Sequence, residues 1–238
     1  MEPLQHKKVL VLGATGAIGS ETARLLHTSG AKVFLGGRDG VKLKALGESL
    51  DIPDASRYLV DFQSPVTLYA AVENILTSQG NLDIVVNATG IGIIKPFENL
   101  SEKDFLTSLQ VNLLGVFHLL QAVLPSMKEQ KKGLILNIPG VLGKSPMAGA
   151  AAYAASKYGL NGMLKSIREE LKRTEIRITN VYLGGVDSPF WDTIDLKVQR
   201  EKMILAREAG KTLWFLCQQP RSAVVSEMVV QPFNHQVI

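Results

Sequence analysis

The stretch that most narrows what this chain can fold into is the apolar run Lys8–Leu12. It passes without a break into Gly13-Ala14-Thr15-Gly16-Ala17-Ile18-Gly19 and then into a segment of helical period. Five residues dominated by Val and Leu read as a buried strand, and Ala23, Leu25 and Leu26, stopped by Gly30, read as a helix. Glycines between the two let the backbone turn tightly and approach a ligand. The free N–H groups of a helix N-terminus favour negative charge at that point. This order predicts the first βα unit of a parallel sheet, with Gly13, Thr15, Gly16, Ala17 and Ile18 shaped to take a pyrophosphate.

The same alternation continues to the end of the chain. Short branched runs at 32–35, 58–60, 83–87, 134–138, 176–182 and 228–231 are separated by helical segments. One of these segments stops near Gly80, and another is opened by the capping box of Ser101 and Asp104. The pattern predicts an α/β fold: a Rossmann-like, doubly wound parallel sheet of about seven strands, with helices on both faces. No linker, repeat or low-complexity tract divides it, so a single domain over 1–238 is expected to carry both cofactor and substrate sites. A chain of 238 residues, 46% hydrophobic and 20% charged, suits a domain of that size.

Composition excludes several function classes. The 26 Lys and Arg against 22 Asp and Glu are scattered, without the concentrated basic patch or motif of a nucleic-acid binder. No apolar run approaches the roughly 18 residues of a membrane span, and the run after Lys7 and Lys8 is too short for a secretory leader. The single cysteine, Cys217, sits in an apolar stretch and cannot form an internal disulfide, which fits a soluble protein in the reducing cytoplasm. His6, His27, His118 and His235 lack metal-ligand spacing, so no metal is expected.

Two further features carry chemistry. An acidic residue at the end of the second strand would bind ribose hydroxyls and repel a 2′-phosphate. This chain has Gly36, Gly37 and Arg38 there, and a guanidinium can pair bidentately with such a phosphate, which favours NADP. Tyr153 and Lys157 stand four residues apart, on one face of a helix. An ammonium about 4 Å from a phenol is worth roughly 4 kcal/mol at an effective dielectric near 20, or about three pKa units. The expectation is a tyrosine brought from about 10 to near 7 and able to exchange a proton.

Taken together, Gly13 to Gly19, Asn87-Ala88-Thr89-Gly90, Asn112 and Tyr153-Ala154-Ala155-Ser156-Lys157 resemble the ordered motifs of the short-chain dehydrogenase/reductase family. The resemblance covers nearly the whole chain. It implies hydride transfer between a nicotinamide and a small-molecule carbonyl or alcohol substrate, with Tyr153 as proton donor, Lys157 also holding the nicotinamide ribose, and Asn112 positioning a relay water. It further implies that Asn87, Ala88 and Gly90 border the cofactor, Asp61 and Phe62 the adenine, and Val186 and Ser188 the nicotinamide end. Pairing of the helix around His118 and the Tyr153 helix between subunits would give a homodimer or homotetramer.

The chain departs from this pattern where the family keeps its catalytic serine, thirteen residues before the tyrosine, since that position is Gly140. Losing one such donor typically lowers the rate by about 10² to 10³. Ser145 is a candidate substitute. Milder departures are Leu12 before the glycine loop and Leu183 before Gly184. Two readings follow: an NADPH-dependent reductase working without the serine, or an NADP(H)-binding protein without turnover that acts as a sensor or through a partner. Phe97, Leu142, Met147, Phe190 and Trp191 are the candidate pocket residues, which suggests an apolar substrate.

Overall fold

The computed structural model describes residues 1–220 and 222–234, so His235 lies outside the described residues. The strands are β1 (Lys8–Leu12), β2 (Lys32–Gly37), β3 (Arg57–Leu59), β4 (Ile84–Asn87), β5 (Lys132–Asn137), β6 (Glu175–Leu183), β7 (Val186–Asp187), β8 (Ile204–Leu205) and β9 (Glu227–Val230). Seven of them form one sheet in the order β3-β2-β1-β4-β5-β6-β9, every pairing parallel. The helices are α1 (Ala17–Thr28), α2 (Gly40–Ser49), α3 (Pro65–Gln79), α4 (Glu102–Leu109), α5 (Gly115–Gln130), α6 (Ala151–Leu171) and α7 (Ala206–Leu216).

A parallel sheet covered on both faces must bury both sides of each strand, and the period-2 alternation of β1 shows how this is met. Leu10 and Leu12 pack with Leu68 of α3, Leu119 of α5 and Leu164 of α6. Val9 and Val11 face the other layer, with Leu26 of α1, Leu43 of α2 and Leu213 of α7. Cys217 is buried in this second layer. The predicted doubly wound sheet is the observed one, with strand limits moved by two residues at most.

Two features were not anticipated. The segment Gln110–Leu114 is wound as a π-helix between α4 and α5 and fuses them into one 29-residue helix, Glu102–Gln130. This helix is long and apolar enough, by length and composition, to cross a membrane, although no run in the sequence had suggested a span. Its apolar stripe is spent inside the protein, where Val116, Leu119, Leu120, Val123 and Met127 are buried on the sheet. Residues 188–203 form a cap, closed at its root by the short parallel pairing of β7 with β8.

Strand order reverses between β1 and β4, so the loops leaving their C-terminal ends diverge and open a crevice. The glycine loop leaves β1 there, and Asn87 to Ile91 leave β4 beside it.

Candidate active site

The glycine loop is held against the loop after β4. Gly13 has φ +73, and a Cβ there would lie 2.6 Å from the Ala88 carbonyl oxygen. Ala88 N–H in turn donates to Leu12 O at 2.9 Å. A side chain at Gly19 would strike Gly13 O at 2.1 Å, so this glycine brings α1 against the loop. Helix α1 begins at Gly16 with no side-chain cap and no acidic residue in its first turn, leaving its N-terminal N–H groups for an anion. Thr15 and Ala17 lie in this turn, and Ile18 reaches the cavity described below.

At the neighbouring strand end, a Cβ on Gly37 would stand 3.2 Å from Thr15 Oγ1, so glycine keeps the space beside the loop free. Arg38 follows, exposed and outside the salt bridges of the described residues. Beyond β3, Asp61 Oδ1 accepts from Gln63 N–H. The Phe62 ring turns into the core, where Gly115 makes room for it: a Cβ at 115 would lie 2.4 Å from Phe62 Cδ1. Only the backbone of Phe62, with Asp61, is left to border an adenine.

Asn87 and Asn137, the last residues of β4 and β5, are aligned with each other and with Asn180 inside β6. Asn87 Nδ2 donates to Asn137 Oδ1 at 3.1 Å, while its own Oδ1 accepts from Thr89 N–H. These bonds fix the start of the loop that carries Gly90.

The π-turn supplies Asn112, which is 1% exposed. Its Oδ1 accepts from Ile91 N–H at 3.0 Å, and its Nδ2 donates to Ile91 O and to Ser156 Oγ, both at 3.0 Å. Helix α6 supplies the half-buried Tyr153 and the buried Lys157. Lys157 Nζ donates to Ile138 O at 3.2 Å and lies 5.5 Å from the centroid of the Tyr153 ring. A Cβ at Gly90 would be 3.3 Å from both Asn112 Oδ1 and Lys157 Nζ, so the missing side chain leaves a space on which an acceptor and a cation converge.

Burial overrides the charge effect expected from sequence. It pushes the Tyr153 phenol up rather than down, and it pulls Lys157 from 10.5 to about 8. Loss of water around the phenol is the cause of the rise, and no charge effect from the ammonium offsets it. Tyr153 is consequently a protonated group at neutral pH, suited to giving a proton.

Gly140 has φ +71 and ψ 167, a backbone region that is essentially reserved for glycine. A Cβ there would meet nothing closer than Leu183 O at 3.6 Å and Tyr153 Oη at 3.8 Å. The space beside the phenol is thus open, but the backbone is shaped for the residue the chain has. Ser145 does not line the cavity, and its N–H turns back to Val141 O.

A cavity of about 620 Å³ joins Ile18 of the glycine loop to Tyr153, Gly140, Val186 and Ser188. Leu142, Met147, Phe190 and Trp191 line it as expected, whereas Phe97 is 74% exposed and stands outside. Sequence reasoning missed Ile94, Lys197 and Lys202, which also line it. Ile94 and Lys197 belong to irregular loops and Lys202 to a single 3-10 turn, where no period marks an inward face. The tip of Phe190 rests on Gly92, where a Cβ would be 2.1 Å from Phe190 Cζ, and its ring centroid is 6.0 Å from that of Tyr153.

The residues fit a bound nicotinamide dinucleotide. There is an uncapped helix start, a cavity continuous from that start to Tyr153, and a buried ammonium that donates to a backbone carbonyl. The family model for short chain dehydrogenases matches residues 7–199. An uncharacterized oxidoreductase of Staphylococcus epidermidis is 28% identical over 232 residues, spanning 98% of this chain and 100% of its own. A metagenomic short-chain oxidoreductase, solved in complex with NADP, is 30% identical with a TM-score of 0.82, over 96% of this chain and 99% of that one. An alcohol dehydrogenase from Thermococcus sibiricus, at 24% identity and a TM-score of 0.89 over 98% and 100% of the two chains, shares the fold. By its matched length, its sheet and its relatives, this chain belongs to the short-chain dehydrogenase family of oxidoreductases.

Proposed function

We propose that the protein is an NADPH-dependent reductase that converts a carbonyl compound to its alcohol. The observation that carries this reading is that Tyr153 lines a cavity reaching Ile18 of the glycine loop, while Lys157, beside its ring, converges with Asn112 on the space over Gly90. Gly13, Thr15, Gly16, Ala17 and Ile18 would hold the pyrophosphate, and Asp61 with the Phe62 backbone the adenine. Asn87, Ala88 and Gly90 would border the ribose, and Val186 and Ser188 the nicotinamide. Arg38 would hold the 2′-phosphate, which is the argument for NADPH over NADH. The NADP in the metagenomic relative supports the same choice.

When bound, the nicotinamide supplies the hydride that the carbonyl carbon gains. Tyr153 Oη donates the proton that the carbonyl oxygen gains, and its raised pKa keeps that proton in place at neutral pH. Lys157 holds the ribose hydroxyls and stabilises the phenolate left behind. A water in the space over Gly90 would return a proton to Tyr153 by way of Lys157 and Asn112. No side chain at 140 donates to the substrate oxygen, which lowers the rate by about 10² to 10³ relative to a site with that donor.

Support for a homodimer or homotetramer comes from the apolar side chains left exposed on α4, α5 and α6, including Leu106, Phe117 and Tyr158. A monomer by light scattering would contradict it. The buried free thiol of Cys217 supports a reducing, cytoplasmic setting. Gly140 favours a second reading, in which NADP(H) is bound without turnover. The deciding experiment follows NADPH absorbance with a panel of aldehydes and ketones. The reductase reading expects consumption that Tyr153→Phe abolishes, and binding without consumption would favour the second reading.

A further inference from the structure

The cap over residues 188–203 gives the cavity an unequal distribution of charge. At its root, Arg200 bridges Asp187 at 2.6 Å and Asp192 at 2.7 Å, so these two carboxylates are taken up by one guanidinium. Trp191 Nε1 donates to Val186 O at 2.9 Å and stands edge-on to Phe190, fixing two aromatic rings toward the cavity. Ile94, Leu142 and Met147 complete an apolar wall. Among the described residues that line this cavity, the charged ones besides the catalytic end are Lys197 and Lys202, with no carboxylate among them. Asp195 and Glu201, which neighbour these lysines in sequence, do not line it. Both lysines are exposed, and neither forms an ion pair among the described residues.

An apolar cavity with two unpaired ammonium groups on one wall is matched by a molecule with an apolar body and an anionic end. We infer that the substrate is a carbonyl compound with an apolar chain or ring and a terminal anionic group, its body against Phe190, Trp191 and Met147 and its anion toward Lys197 and Lys202. The inference rests on the reductase reading and deepens it by naming a substrate class. The cofactor's own phosphates have a separate place at the uncapped start of α1.

The test measures NADPH oxidation with straight-chain ω-oxo carboxylic acids of increasing length and with their methyl esters, which keep the body and remove the charge. An exposed ion pair contributes up to about fivefold, so two lysines together should favour the acid over the ester by about tenfold in kcat/KM at the best chain length. The double variant Lys197→Gln/Lys202→Gln should bring that ratio toward one, and added salt should lower it in the parent protein. Equal use of acid and ester would overturn the inference. So would a rise in the NADPH Kd of the double variant as large as its loss of acid preference, because the lysines would then serve the cofactor.

If no compound is reduced, the reductase reading fails by itself, and the lysines are still tested by binding. Tryptophan fluorescence in a Trp214→Phe background, which leaves Trp191 as the reporter, titrated with fatty acids and their methyl esters with NADPH present, should show tighter binding of the acids that the double variant loses. Equal binding would refute the anionic site. Because both positions are exposed, the variants should fold with little change in stability.

Discussion

Replacing Lys157 by methionine should stabilise the cofactor-free protein while removing its activity. The side chain is 3% exposed, and burial moves its pKa from 10.5 to about 8. At neutral pH the folded protein must hold an ammonium that the unfolded chain leaves in water. A displacement of about 2.5 units corresponds to about 3 kcal/mol. The hydrogen bond to Ile138 O returns part of that, about 1 kcal/mol, so the net gain on substitution is about 2 kcal/mol. For a domain of this size that is a rise of roughly 4 °C or more in Tm.

The sign follows from proton linkage. With a folded pKa below the unfolded one, the native state binds fewer protons between about 8 and 10.5, and parent stability rises with pH across that window. Below about 8 this stability is absent. The advantage of Lys157→Met should accordingly shrink as the pH is raised from about 7 to about 10. Thermal melts by circular dichroism at both pH values, without NADP(H), measure it. A variant that melts below the parent at neutral pH, or a difference that does not change with pH, would refute the reasoning.

Other outcomes follow from the same geometry. Arg38→Asp should reverse the cofactor preference, with kcat/KM for NADPH falling by a factor of about 10 or more and that for NADH rising, as initial rates would show. Gly140→Ser should lower stability by about 1 to 3 kcal/mol, because serine must adopt φ +71 or move the loop, and urea unfolding would detect it. Gly92→Ala places a Cβ 2.1 Å from Phe190 Cζ and should displace that ring from Tyr153, changing KM several-fold while NADPH affinity holds; steady-state kinetics with a cofactor titration would check this.

The frame of the fold was legible because it rests on local rules. Branched runs such as Val9 to Leu12 and glycine stops such as Gly30 and Gly80 mark strands and helix ends without reference to the rest of the chain. Tyr153 and Lys157 were legible from helical spacing and from their neighbouring motifs. Features set by three-dimensional surroundings were not. The π-turn at Asn112 lies in an apolar run that an ordinary helix would also accept, and two-residue strands such as β7 and β8 have no period to read. The direction of the Tyr153 shift depended on how much water surrounds the phenol, which spacing does not encode. Gly140 was legible as the residue at the serine position, but its positive φ was not.

The central claim, that this chain moves a hydride from NADPH to a carbonyl with Tyr153 giving the proton, is tested most directly by isotope transfer. NADPH carrying deuterium at its transferable position is incubated with the protein and an accepted aldehyde, and the alcohol is examined by mass spectrometry. The account predicts one deuterium on the former carbonyl carbon, and a loss of about 10² or more in rate with Tyr153→Phe. An unlabelled alcohol, or labelling that proceeds equally well without the Tyr153 hydroxyl, would contradict it.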